Sequence, residues 1–298
     1  MDWENTPESS NIEDRRGESG SPMTASVGGA GGLGLGTVLV VLVISYLTGI
    51  NPSMLLGGAQ ILEGSNHSQS SYTQNRPVAR PSTTPANDRT TSLIRHVLGE
   101  TEAVWTQILP AQKGVNYAPT TLVLYSGSTQ AGCGGAQAAM GPFYCPEDKK
   151  IYLDTSFFHD METRYGGGGD FADAYVIAHE VGHHVQDLLG ILDKADEAKS
   201  GVSRTQANAI SVRIELMADC LAGVWAANAN KDWKLLSQDD IKQALATAQA
   251  IGDDRLLTAA RGYAVPDSFT HGSSAMRQKW LTAGLQSGQV DACNTFSQ

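Results

Sequence analysis

Between Phe171 and Leu189, apolar residues recur at Ala174, Ile177, Ala178, Val181, Val185 and Leu188, the spacing of one face of an α-helix. Asp170, at the end of the run YGGGGD, is the expected N-cap of that helix. A second apolar stripe, Ile214, Met217, Leu221 and Trp225, marks another helix within Asn208–Ala229. Ser237 and Asp240 are spaced as a capping box and start a third, and a final helix follows the polar turn in FTHGSSAMRQKW. The stretches Thr120–Ser128 and Lys149–Phe158 are rich in β-branched and aromatic residues, which predicts strands. Helices with a small sheet give an α+β fold. Gly182 costs about 1 kcal/mol inside a helix, and so small a residue suits the close approach of another segment.

The N-terminal third reads differently. Residues 1–27 are polar and acidic, a composition that predicts disorder. Residues 28–50 carry no charge, and Leu33 to Ile50 are densely apolar, which predicts a single transmembrane helix. Arg15 and Arg16 precede this stretch and no Lys or Arg follows it until Arg76, so the N-terminus is expected in the cytoplasm. On that reading the protein is a single-pass cell-membrane protein with an extracytoplasmic catalytic domain. Residues 51–92, rich in Ser, Thr, Pro and Asn, read as a flexible linker, which leaves 93–298 as the folded domain. All four cysteines lie in that domain. Two disulfides are expected, with Cys133–Cys145 closing a short loop and leaving Cys220–Cys293 as the favoured pairing. Four free thiols are the alternative if the orientation is reversed, and a cysteine zinc site is disfavoured because no C-x-x-C occurs.

Composition narrows the partners. The 298 residues carry a formal charge of -10, with a pI of about 5.1, which argues against nucleic acid. Neither a glycine-rich phosphate loop nor an internal repeat is present.

The chemistry lies in the first helix. His179 and His183 stand one turn apart on a common face, and Glu180 adjoins the first. This is the H-E-x-x-H pattern, two zinc ligands with a glutamate as general base for zinc-activated water. A catalytic zinc needs a third protein ligand. Glu215 fits that role from the second helix, and Asp219, one turn on, is suited to hold the outer N–H of a ligating imidazole. Asp219 as ligand with Glu215 as bystander is the alternative. Leu189 stands where the metzincin spacing requires histidine, and His184 points about 100° away from His183, as a supporting or surface residue. His271 and Tyr263 are candidates to steady an oxyanion, although a capping or core role also fits His271. A strand beside this helix could hold a peptide at an exposed edge, or both strands could be sheet interior.

The segments CGGAQAAMGPFYCP, KKIYLDTSFF, AHEVGHHVQ, IELMADCLAGVWA, AIGDDRL and SFTHGSSAMRQKWLTAG, in this order, resemble a bacterial family of membrane-anchored neutral zinc metallopeptidases. The resemblance implies a zincin-like domain acting on peptide or protein substrates. It assigns one Zn2+ per domain to His179, His183 and Glu215, with Glu180 as base. A membrane-tethered metal-binding adaptor without catalysis is the alternative, and Glu180, which a purely structural site would not need, speaks against it.

Overall fold

The protein is described by a computed structural model covering residues 1–17, 88–165 and 167–297. Among the described residues the larger sheet has four strands in the order β1 (Ile12–Asp14), β2 (Thr121–Tyr125), β6 (Lys150–Asp154) and β5 (Phe143–Cys145). β1, β2 and β6 are parallel, and β5 runs antiparallel to β6. Side chains alternate across a strand, and both faces are covered here. Leu122, Leu124, Ile151 and Leu153 enter the main core with the helices, whereas Val123, Tyr125 and Tyr152 pack with Ala136 of the hairpin β3 (Ser128–Ala131) and β4 (Gly134–Gln137). The two strands legible from composition are therefore interior. The edges are β1 and, inside the glycine-rich loop, β5.

The helices in chain order are α1 (Arg89–Lys113), α2 (Ser156–Asp160), α3 (Asp170–Leu188), α4 (Ile191–Lys199), α5 (Arg204–Trp233), α6 (Gln238–Ala250), α7 (Asp253–Arg261) and α8 (Ser274–Ser287). α3 packs against α5, α1 and α6, and α8 lies along α5. Side chains cap the starts of α1, α5 and α6. Asp88 accepts from Thr91, and capping boxes form at Ser203 with Gln206 and at Ser237 with Asp240. The N-cap of α3 is Gly169; Asp170 is the first helical residue, and its carboxylate is engaged elsewhere. A Cβ on Gly182 would meet the Ala218 carbonyl oxygen at 3.1 Å, so this glycine lets α3 and α5 approach closely. Both expected disulfides are present, Cys133–Cys145 and Cys220–Cys293.

The N-terminal expectations are corrected here. Residues 1–17 are not disordered. They belong to one unit with the domain and supply β1, whose backbone pairing needs no apolar composition. The domain also begins earlier than residue 93, with Asp88 as the cap of α1. The stretch expected to form a transmembrane helix (28–50) and most of the expected linker lie outside the described residues, and among the described residues no helix is long and apolar enough to cross a membrane. A single crossing between residues 17 and 88 would also put β1 and β2 on opposite sides of a bilayer, yet the two are hydrogen-bonded neighbours. The single-pass topology and the cell-membrane location read from it are therefore withdrawn. What survives is the disulfide pair, a bond type that persists in oxidising compartments.

One buried carboxyl sets a pH dependence. Glu100 on α1 has no exposed surface, and neither carboxylate oxygen has a hydrogen-bond partner among the described residues. Burial pushes its pKa from 4.5 up to about 8, with the nearby Thr6 hydroxyl opposing. Its contribution is fully present below the unfolded value and is lost as pH rises through the folded value, because only the unfolded chain releases the proton in between. Glu100→Gln, neutral at every pH, should unfold with a flatter pH dependence and gain on the order of 3 kcal/mol over the parent at pH 8. Urea titrations at pH 5 and pH 8 check this, and identical slopes for parent and variant would contradict it.

Candidate metal centre and active site

α3 presents His179 and His183 one turn apart, and α5 brings Glu215 against both. Their ligand atoms all lie within 4.8 Å of one another. His179 Nε2 is 3.1 Å from Glu215 Oε2, and His183 Nε2 is 3.6 Å from Glu215 Oε1. The opposite ring nitrogens are tied back. His179 Nδ1 donates to Asp219 Oδ1 at 2.9 Å, and His183 Nδ1 donates to Gln186 Oε1 at 2.9 Å. The Gln186 amide is itself oriented by donating to the Ile214 carbonyl at 2.7 Å. Both imidazoles thus turn Nε2 toward Glu215 with the tautomer set from behind, as at protein metal sites.

Electrostatics favour a cation at this point. Burial opposes charge on His179, but the Asp219 and Glu215 carboxylates overcome it and raise its pKa to about 10. Burial likewise opposes ionisation of Glu215, yet the two histidines hold its carboxyl well below the ordinary range. Two imidazoles and one carboxylate form a known donor set for catalytic zinc, and only these three protein donors converge among the described residues. The residues therefore fit a zinc ion with one position open.

Asp219 is fully buried at the centre of a polar network. Arg277 of α8 donates to it through Nε at 2.9 Å and Nη2 at 2.8 Å, and the Tyr175 hydroxyl donates at 2.5 Å. Arg277 also reaches the Tyr175 oxygen at 3.1 Å. Burial would raise the pKa of Asp219, but Arg277 holds it at about 2. Asp219 therefore stands behind His179 and is not part of the converging set. Tyr175, one turn before His179, and Gln186, three residues after His183, were open to the same helical-spacing argument that finds Asp219. Arg277 carries no such signal.

Around the histidines opens a cleft of about 760 Å³ that also contains Glu180, His271, Phe143 and Tyr144. His271 stands at its edge with the side chain half exposed. Asp253 fixes that loop, accepting from the backbone N–H groups of Thr270, His271 and Gly272 and approaching His271 Nδ1 at 3.2 Å. Burial opposes charge on His271, but Asp253 and Glu215 raise its pKa. Tyr263 is exposed and does not line the cleft. His184 is neither a support of the ligands nor a surface residue. It is buried, with Nε2 on the Ala118 carbonyl at 2.6 Å and Nδ1 near the Tyr144 hydroxyl at 3.1 Å, and joins α3 to the sheet.

The sequence profile of the family described as "Putative neutral zinc metallopeptidase" matches residues 1–296. The chain is 43% identical to "Uncharacterized protein YpfJ" of Escherichia coli K12, over 100% of this chain and 99% of that protein. It is 45% identical to "Uncharacterized protein Rv2575" of Mycobacterium tuberculosis H37Rv, over 66% of this chain and 67% of that one. No solved structure matches. By a profile match over almost its whole length and relatives at this identity, the chain belongs to the neutral zinc metallopeptidase family.

Proposed function

We propose that the protein is a zinc-dependent peptidase in which His179, His183 and Glu215 hold the metal and Glu180 is the general base. The observation that carries this reading is the convergence of three donors with both Nδ1 atoms tied back, beside a carboxylate in an open cleft. When bound, zinc supplies a Lewis acid that polarises a carbonyl and acidifies water. Glu180 takes the proton from the attacking water and delivers it to the leaving amine. His271, tethered through Nδ1 to Asp253, keeps Nε2 free of partners among the described residues. With its pKa raised, it offers an N–H there to the oxyanion that develops on the carbonyl.

The substrate class is peptide or protein. β5 ends the sheet and contributes Phe143 and Tyr144 to the cleft, so an extended segment laid along it could gain backbone hydrogen bonds. A purely structural metal site would close its fourth position with protein, whereas three donors here leave one open.

Metal analysis of the purified full-length chain should give one zinc per chain, and Glu215→Ala should lose most of it. Full zinc stoichiometry in that variant would remove Glu215 from the ligand set.

A further inference from the structure

Residues 1–17 are joined to the domain at several places: β1 pairs with β2, the Met1 amino group binds Asp240, Trp3 enters the core, and a further set of polar contacts falls on one face of α1. His96 donates through Nδ1 to the Thr6 carbonyl at 2.9 Å, with the Glu8 carboxylate 3.3 Å from its Nε2. Ser9 and Asn11 both donate to Glu102, at 2.6 and 2.8 Å, and the Ser9 amide donates to the Arg95 carbonyl at 2.9 Å. At Gly99 the two backbones touch, since a Cβ there would lie 2.4 Å from the Pro7 carbonyl oxygen. Glu100, buried without a partner among the described residues, lies under the same segment.

The covered face is thus built from Arg95, His96, Gly99, Glu100 and Glu102, while Leu93, Ile94, Val97 and Leu98 enter the core. A helix face meant for permanent burial is ordinarily apolar. This one carries side chains that are stable in water when nothing covers them, and its polar contacts resemble those between separable parts of a chain.

The far end of the segment reaches the active-site helix. Trp3, 5% exposed, donates its indole N–H to Asp170 Oδ2 at 2.9 Å. Arg89 lies over the Trp3 ring and binds the same carboxylate through two nitrogens at 2.7 Å. Asp170 is the first residue of α3, about two and a half turns ahead of His179.

We propose that residues 1–17 form a separable clasp that docks on a preformed groove of the domain and, through Trp3 and Asp170, sets the first turn of α3 and so the histidines further along it. The positioning half rests on the zinc-site reading; the docking half does not.

The test uses the full-length chain with a specific protease site inserted between residues 18 and 87 and then cut. In the parent, the cut clasp should stay with the domain through gel filtration, and zinc affinity should not change. Gly99→Ala, a change that ordinarily strengthens a helix, should block docking at Pro7, and Trp3→Ala should weaken it from the clasp side. Both variants should fold cooperatively, release the cut clasp, exchange the amides at the start of α3 faster, and bind zinc about tenfold more weakly, the low end of what lost supporting contacts cost a metal site. Release of the clasp with unchanged exchange and zinc affinity would overturn the positioning role. Retention of the clasp in Gly99→Ala, or failure of either variant to fold, would overturn separability. If the parent binds no zinc, the zinc reading fails by itself, and amide exchange along α3 still decides the proposal.

Discussion

Replacing Glu180 by glutamine is expected to cut peptide hydrolysis by about 10² to 10⁴-fold while leaving metal content and melting temperature in place. Glu180 lines the cleft next to His179 and stands outside the converging donors His179, His183 and Glu215. The amide keeps the shape of the side chain and so should not disturb the packing of α3. It cannot take a proton, and general-base work is the one role the substitution removes. Steady-state hydrolysis of a cleaved peptide, with zinc content and thermal unfolding measured on the same preparation, checks all three points. Undiminished hydrolysis would assign the base elsewhere. Loss of zinc would make Glu180 a ligand or a support of one.

Arg277→Met is expected to destabilise the protein by about 3–5 kcal/mol, because it strips the compensating charge from a carboxylate with no exposed surface. Asp219 would keep only Tyr175 and His179, and the pKa that Arg277 holds at about 2 would rise. With Asp219 less able to fix the His179 tautomer, zinc affinity should fall by about 10 to 100-fold. In the parent, the stability contributed by Asp219 is present above the unfolded carboxyl value of 3.8 and lost as pH falls through about 2. Adding Asp219→Asn to Arg277→Met should recover part of the loss, since the unpaired charge is then gone. Chemical denaturation of the two single variants and the double variant measures this coupling. A single variant within about 1 kcal/mol of the parent would mean that the network is not what holds α8 to the site.

The clustering of the candidate ligands was legible because residues one turn apart on a helix share a face. His179 and His183 declare themselves at one turn, and Glu215 and Asp219 repeat the interval on α5. The disulfides followed from cysteine parity, a short loop and an extracytoplasmic placement whose membrane topology is withdrawn, and the cap of α6 from Ser237 and Asp240. Arg277 was not legible. It lies 58 residues from Asp219, and the pairing exists only because α8 lies along α5. β5 was hidden for another reason, being three residues inside a glycine-rich loop with no room for alternation. The N-terminal segment misled most. Its polar composition argues against a core, but its order comes from backbone pairing in β1, polar contacts to α1 and a single buried indole. The apolar run that argued for a crossing says nothing about which strands pair, and it is the pairing of β1 with β2 that overturns that topology.

The most direct test of the zinc-peptidase account is hydrolysis of a peptide library by the full-length protein as purified, after chelation, and after return of zinc. The account predicts cleavage that chelation abolishes and that about one equivalent of zinc per chain restores, with the metal held at His179, His183 and Glu215. Cleavage that survives complete removal of the metal, or a fully zinc-loaded protein that cleaves no peptide in the library, would contradict it.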